Sequence, residues 1–352
     1  MTIIYFILLL SAIIIIHELG HFMFAKLFKV YCYEFSIGMG PKLWQKKGKE
    51  TVYTLRLLPI GGYVAMAGEN DGMQEAFENI EVPKERTLTN LKEWKRIIIM
   101  GAGIFMNFML AWIIMSGFYL YQGAYPIDPA PVVADVVPNG PADQAGMQKD
   151  DYILKVTLAD GTTIEPKTFA DITNYTLTYD DDITYTIERD GQLMHLTVTP
   201  MQDPQTKAYY SGINSLPYTF KEVTLLNAPL LGASYLIDTT KSMIISLFRM
   251  FQGFGLEQVS GPVGIYTVTE TYASLGIEYF LMLVALMSLN IGIVNALPLP
   301  VLDGGRIVIT IGEWICHRKL NQKVEIALMS ACWILLIGLM LFVTWNDILR
   351  LL

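Results

Sequence analysis

Long apolar segments alternate with polar ones along this chain, and the pattern predicts four membrane-spanning helices. The apolar segments cover approximately residues 2–28, 97–121, 279–299 and 324–345. At a rise of about 1.5 Å per residue, each is long enough to cross a bilayer. The first lacks both the basic start and the small-residue cleavage site of a secretory signal. We therefore expect it to be a retained span.

Residues 29–96 combine basic side chains with short β-favouring runs, and they predict a β-hairpin or a small sheet. The runs lie in Phe35–Pro41 and Thr51–Gly68 and are separated by turn glycines. Non-helical backbone is tolerated at membrane depth only when it is buried in protein or lines a wet cavity. We expect this sheet to enter the membrane beside the first span; a cytosolic hairpin on the lipid headgroups is the alternative.

Residues 123–222 have the composition of a small soluble α+β domain. Short β runs lie at 132–137, 152–156, 183–187 and 193–198, and 167–177 is a candidate helix. Asp190-Gly191 is a hairpin-turn dipeptide between the last two runs. No catalytic constellation is visible in this part of the sequence.

The composition agrees with a membrane protein that carries some soluble mass. Of 352 residues, 53% are hydrophobic and only 16% are charged, against about 25% in soluble domains. The three cysteines have no disulfide or CxxC spacing. The net charge of −8 gives no support to nucleic-acid binding, so we expect no nucleic-acid partner.

The distribution of Lys and Arg orients the spans, because cytoplasmic loops carry an excess of both. Twelve basic residues lie between Lys26 and Arg96, and four more follow the third span, from Arg306 to Lys323. Both groups belong in the cytoplasm, so the acidic domain and both termini face outward. Residues 225–254 are apolar but interrupted by charged residues, and a fifth span there would break this pattern. We expect an amphipathic interfacial helix instead.

The strongest chemical signal is His17-Glu18-Leu19-Gly20-His21, towards the end of the first span. Histidines four apart share one helix face, so both imidazoles can bind one zinc ion, and the adjacent glutamate can act as general base. A chance match or an ordinary surface helix is the alternative. Both are disfavoured, because the chain has only four histidines and the flanks are apolar.

A catalytic zinc site usually has three protein ligands and a water molecule, so a third ligand is needed. Asp303 follows Pro298 and Pro300, which break the helix, and precedes two glycines. A carboxylate at membrane depth is costly unless it is paired or bound to metal. The topology places Asp303 and His21 near the cytoplasmic ends of their spans. A helix-capping aspartate is the alternative.

Asn107 is a polar residue well inside the second apolar segment. It either hydrogen-bonds a neighbouring helix or orients a substrate or the catalytic water. The sequence leaves these two roles open.

Together, HELGH in the first span and NxxPxPxLDGG after the third resemble the site-2 protease family of intramembrane zinc metalloproteases, of the bacterial regulator of sigma-E protease type. The resemblance also covers the FSIGMGPKLW, LLPIGGYVAMAGE and GPVGI stretches. It implies a polytopic α-helical membrane protein with a membrane re-entrant β-hairpin or sheet and one extracytoplasmic α+β PDZ-like domain. The implied divisions are 1–122, 123–222 and 223–352, the last including the interfacial helix.

The resemblance also implies roles for particular residues. His17, His21 and Asp303 would bind Zn²⁺, and Glu18 would be the catalytic base. Asn107, Asn295, Gly61 and Gly62 would contact the substrate. The expected partners are the lipid bilayer and membrane-spanning protein substrates, such as single-span anti-sigma factors or signal-peptide remnants, in a bacterial plasma membrane.

Two stretches depart from the family pattern. Gly103-Ile104 stands where relatives often have Gly-Pro, and the stretch from Gly146 to Asp151 replaces the GLxxGD turn of the PDZ-like domain. The second departure bears on whether this domain binds a peptide carboxylate.

Overall fold

The computed structural model describes residues 2–69, 80–176, 179–202, 209–251 and 261–351. The chain forms two compact units. One comprises Met1–Tyr121 together with Thr224–Leu352, and the other is Gln122–Val223. The helices of the described residues are, in chain order, α1 Thr2–Leu27, α2 Glu93–Gln122, α3 Pro141–Gln144, α4 Phe169–Thr176, α5 Ala228–Phe251, α6 Pro262–Leu275, α7 Ile277–Asn295, α8 Asp303–Cys316 and α9 Gln322–Leu351.

Four of these helices, α1, α2, α7 and α9, are long and apolar enough to cross a membrane. The four predicted spans are therefore confirmed as long apolar helices. α1 and α7 share a buried cluster in which Leu9 and Ile13 pack against Phe280 and Leu283. α7 ends at Asn295, a little earlier than predicted, because the prolines that follow cannot continue a helix.

α1 and α2 approach each other closely at Gly20. A Cβ atom at this position would lie 2.5 Å from the carbonyl oxygen of Ala102. Small residues permit such close approach between helices in a membrane, where packing rather than the hydrophobic effect holds helices together. The glycine inside the HELGH motif is thus a packing requirement of the first two spans.

In the unit that contains the four long apolar helices, α6 and α8 were not predicted from the sequence. α8 begins at Asp303, in the region that carries the basic residues after the third span, and α6 begins within the GPVGI stretch. The N-cap of α6 is Gly261, which has no side chain to cap the helix. Instead, Asp347 Oδ2 of α9 accepts hydrogen bonds from the backbone nitrogens of Gly261 and Gly264, both at 2.8 Å.

α5 packs against α2 and α7. Leu236 lies in a buried cluster with Met115 and Leu289, and Trp112 Nε1 donates a hydrogen bond of 2.8 Å to the carbonyl of Pro229. Among the described residues, α5 is not one of the helices that qualify as spans. Residues 252–254 of the expected interfacial helix lie outside the described residues.

The described residues of the first unit, here called the membrane unit, contain one sheet, formed by β1 (Cys32–Lys47) and β2 (Val52–Met66). Phe35 of β1 lies between Val64 and Tyr53, both of β2, and the end of β1 pairs again with β2, where Trp44 is opposite Leu55. A small sheet was predicted here and is present. The last residues of β2 pair with β1 on one side only, so they form one edge of this sheet.

A charged cluster holds the turn between β1 and β2 near the end of α1. The Glu50 carboxylate accepts hydrogen bonds from Arg86 Nη1 at 2.8 Å and from Lys26 Nζ at 3.1 Å. These bonds lower the pKa of Glu50 to about 2. The cluster links the sheet to the helix that carries HELGH.

The second unit contains the remaining strands: β3 Ala124–Ile127, β4 Val133–Val136, β5 Tyr152–Leu158, β6 Thr163–Ile164, β7 Ile183–Arg189, β8 Gln192–Val198, β9 Met201–Gln202, β10 Tyr209–Tyr210, β11 Ile213–Ser215 and β12 Thr219–Glu222. Four of them form a sheet in the order β6-β5-β7-β8, and β4 pairs with β11. Its core includes the fully buried Ile153, Tyr185 and Ile187.

Local sequence accounts for the turn between β7 and β8. β7 and β8 are joined by Asp190 and Gly191, whose φ angles are 51° and 77°. Positive φ at both turn residues matches the right-handed twist of the strands, so the predicted hairpin is confirmed. The ends of the unit also meet, because β3 pairs with β12.

Candidate metal centre

α1 brings the two histidines of HELGH to one face, one helical turn apart. Their side chains are buried, and the Nε2 atoms of His17 and His21 lie 3.2 Å from each other. The residues before His17 are almost all apolar, and in an apolar environment a helix satisfies every backbone hydrogen bond within the segment. Both imidazoles are therefore carried by a long apolar helix.

Asp303 reaches the histidines from the first residue of α8. The preceding loop folds back over the start of this helix, and two glycines make room for it. A Cβ atom at Gly304 would collide with the carbonyl of Ala296, and one at Gly305 with the carbonyl of Leu299. The two glycines after Asp303 are therefore required for the carboxylate to face α1.

The three side chains fit a zinc ion. Asp303 Oδ2 lies 3.1 Å from His17 Nε2 and 3.3 Å from His21 Nε2. A tetrahedral ion with bonds of about 2.0–2.1 Å places neighbouring donor atoms about 3.3 Å apart. Among the described residues, His17, His21 and Asp303 are the only such group of three that can hold a metal ion.

The chemistry of the donor atoms also suits a bound cation. The Nδ1–H of His21 donates to the carbonyl of Ile99 at 2.8 Å, which leaves a lone pair on Nε2. Asp303 Oδ2 is buried and has no hydrogen-bond partner among the described residues. A lone pair and a buried carboxylate oxygen this close repel each other unless a positive charge lies between them.

α2 forms the wall behind the histidines. Gly103 lies so close that a Cβ atom there would be 2.7 Å from His17 Cε1 and would collide with His21 Nε2. The sequence showed small residues at 101–103 but did not show that one of them faces the metal centre. Its position opposite HELGH depends on how two helices pack.

A cavity of about 430 Å³ opens in front of the donor atoms. It is lined by Glu18 from α1, Gly62 from β2 and Asn295 from α7, as well as by the three donor residues. Arg306, one turn after Asp303, also lines it and pairs with Glu69.

The structure brings most of the predicted site residues to this cavity. The exceptions are Asn107 and Gly61, which are not among the residues that line it. Asn107 is fully buried behind His17, with its Nδ2 atom 3.2 Å from His17 Nδ1. Gly61 precedes the cavity-lining Gly62, and its φ of 87° is unfavourable for any other residue.

The HExxH motif lies on one helix, a second helix adds a carboxylate, and a cavity opens beside them. These features, within a group of long apolar helices, define a zinc-dependent peptidase in a multi-pass membrane protein. The chain belongs to peptidase family M50, whose sequence model matches residues 5–339. It is a zinc metalloprotease.

The similarity to individual relatives extends over the full length. The regulator of sigma-W protease RasP of Bacillus subtilis is 32% identical over 426 aligned positions, covering 99% of each chain. The zinc metalloprotease RasP of Shouchella clausii is 30% identical, again over 99% of each chain. A relative from Fusobacterium nucleatum is 34% identical over all of this chain and 99% of its own.

Proposed function

We propose that this zinc metalloprotease is an intramembrane endopeptidase that cleaves the transmembrane segments of single-span proteins. Its zinc ligands would be His17, His21 and Asp303, and Glu18 would be its general base. The observation that carries the proposal is the convergence of three buried donor atoms, 3.1–3.3 Å apart, from two helices of the membrane unit.

Glu18 is placed for proton transfer. It follows His17 directly and lines the cavity in front of the donor atoms. A zinc ion held by the three donor residues would polarise the scissile carbonyl and make the attacking water more acidic. The Glu18 carboxylate takes the proton from the attacking water and delivers it to the leaving amine.

The edge of β2 provides a surface for an unwound substrate. Gly62, Tyr63 and Val64 line the cavity, and on their other side they pair with β1. An extended peptide can add to such an edge through main-chain hydrogen bonds. Gly62 has no side chain, and a Cβ there would lie 3.5 Å from Glu18 Cγ, so the added strand passes close to the base.

Asn295 completes this arrangement from the opposite wall. It is the last residue of α7 and lines the same cavity, where its amide can hydrogen-bond the substrate backbone. In this proposal Gly61 and Gly62 shape the edge and Asn295 positions the peptide, while Asn107 acts from behind His17.

The remaining assignments rest on charge and on relatives. The basic residues that follow α1 and those in and after α8 support a zinc site towards the cytoplasmic side of a bacterial plasma membrane. Both termini are then extracytoplasmic. So is a PDZ-like domain at 123–222, which lies in the sequence between membrane parts at 1–122 and 223–352. β1 and β2 form the re-entrant element. One relative is named a regulator of sigma-W protease, which supports anti-sigma factors as substrates. Signal-peptide remnants are the other substrate class that the resemblance implies.

The test is Glu18→Gln in the full-length protein, with cleavage of a model single-span substrate and zinc content measured on the same sample. We expect cleavage to fall by about 10²–10⁴-fold because the general base is lost. Zinc should stay bound, because Glu18 is not among the donors. His17→Ala should lose both zinc and cleavage.

Glu270→Gln is the matched control. It makes the same chemical change away from the cavity, at an exposed position of α6. It should leave cleavage and zinc unchanged. Full cleavage by Glu18→Gln would refute the proposed mechanism. Loss of zinc from this variant would make Glu18 a ligand instead of a base.

A further inference from the structure

We propose that Asn107 is a positioning residue for the metal centre: its carboxamide oxygen accepts the Nδ1–H of His17 and so keeps Nε2 free to bind zinc. This inference rests on the proposed role of His17 as a ligand. Asn107, a buried residue of α2, then determines which of the two ring nitrogens of His17 carries the proton.

The His17 ring presents one of its two nitrogens to the candidate metal position. Its Nε2 atom faces the other two donors, 3.1 Å from Asp303 Oδ2 and 3.2 Å from His21 Nε2. Nε2 is therefore the atom that binds zinc. A neutral imidazole carries one N–H, so the proton must then be on Nδ1.

Asn107 is the neighbour of that Nδ1 atom. Its amide lies 3.2 Å away and is fully buried, and its Oδ1 atom has no hydrogen-bond partner among the described residues. In the structure the amide nitrogen faces His17, an arrangement that places the imidazole proton on Nε2. A half-turn of the amide brings Oδ1 to Nδ1 instead. That orientation gives the buried oxygen a donor and clears Nε2 for the metal.

His21 shows the same arrangement with a different acceptor. Its Nδ1–H donates to the carbonyl of Ile99 at 2.8 Å. Ile99 and Asn107 are eight residues apart on α2, slightly more than two helical turns, so they lie near the same face. α2 thus supplies a carbonyl oxygen to each of the two histidines of α1.

Asn107 is itself held in place by a third helix. Ser288 of α7 is buried, and its Oγ donates to the main-chain carbonyl of Asn107 at 2.9 Å. The backbone is fixed while the side-chain amide can still turn. Residues that orient a metal-bound histidine in this way usually contribute 10–100-fold to metal affinity.

Two substitutions distinguish an acceptor from a donor or a space-filling residue. Asn107→Asp keeps an oxygen that can only accept, and Asn107→Leu keeps the volume without hydrogen bonding. We expect the leucine variant of the full-length protein to bind zinc about 10–100-fold more weakly in a chelator competition. The aspartate variant should stay within about threefold of the parent protein, because a carboxylate accepts the same Nδ1–H.

The controls separate this inference from the proposed function. Met115→Leu changes another buried position of α2 and should not alter zinc affinity. His17→Ala should abolish tight zinc binding; if it does not, the ligand assignment itself fails, whatever Asn107 does. Thermal unfolding of the zinc-stripped variants reports any packing defect, and Asn107→Ala measures the same loss if the leucine variant does not fold.

Two results would overturn the inference. One is parent-like zinc affinity in both Asn107→Leu and Asn107→Ala. The other is an aspartate variant that loses zinc as fully as the leucine variant, because Asn107 would then act as a donor. A Co²⁺-loaded sample gives an independent measure, since its visible spectrum should change in the leucine variant and not in the aspartate variant.

Discussion

The α-carbon of Gly103 lies against the imidazole of His17 with no space for a methyl group. A Cβ atom at this position would be 2.7 Å from His17 Cε1, which is shorter than any normal contact between carbon atoms. α2 can therefore pack against the two histidine rings only because residue 103 has no side chain.

Gly103→Ala should displace at least one histidine ring and weaken zinc binding by about tenfold or more, because the neighbouring α2 backbone cannot move independently. Zinc affinity and cleavage should fall together. Gly101→Ala is the matched control two residues earlier, where the new methyl group would meet only Ile307 Cδ1 at 3.9 Å. Equal zinc affinity in the two variants would show that the rings tolerate the added group.

Gly61→Ala should impair substrate use without affecting zinc. The φ of Gly61 is 87°, which is strained for alanine, so we expect the cavity-facing edge of β2 to shift, and Met39 Cε, 2.6 Å from the new Cβ, has to move as well. A loss of 1–2 kcal/mol in transition-state binding corresponds to about 5–30-fold in kcat/KM. Gly40→Ala introduces the same strain at a φ of 86°, away from the cavity, and should change kcat/KM by less than about twofold. Similar losses in both would mean that backbone strain, not the edge, is responsible.

Asp150 occupies a position suited to glycine, with a φ of 70°. This is the point at which the sequence departs from the GLxxGD pattern. Asp150→Gly should raise the free energy of unfolding of the Gln122–Val223 unit by roughly 0.5–1 kcal/mol, and Asp150→Val should lower it by roughly 1–2 kcal/mol. Protease resistance of this unit in the full-length protein should rank glycine above aspartate above valine. Lys149→Val, at the exposed neighbouring position, should have little effect; any other ranking would contradict the strain argument.

Asp347 caps a helix whose N-cap residue, Gly261, lies 86 residues earlier in the chain. Asp347→Leu removes the acceptor for two backbone N–H groups and should lower the stability of the membrane unit by about 1–2 kcal/mol. Asp347→Asn keeps an acceptor oxygen and should lose less. The loss of stability in each of the two variants is measured as a decrease of the Tm in detergent. An asparagine variant as unstable as the leucine variant would indicate that the negative charge matters more than the hydrogen bonds.

Elements whose causes are local were predictable from the sequence. The four spans follow from the length of the apolar runs, and the β7–β8 hairpin follows from Asp190-Gly191, which adopts the left-handed angles that this dipeptide favours. α6 and α8 were missed for the opposite reason. The cap of α6 comes from Asp347, and the start of α8 depends on the loop that packs over Gly304 and Gly305.

The sequence by itself determined the chemical groups of the candidate site: two histidines and a glutamate on one apolar helix, and an aspartate after a proline break. Helical periodicity and the thickness of a bilayer are enough to place them. Only the tertiary structure decided what surrounds them. Gly103 beneath the rings, Asn107 behind His17 and the β2 edge in front of Glu18 depend on contacts between segments far apart in sequence, which no local pattern encodes.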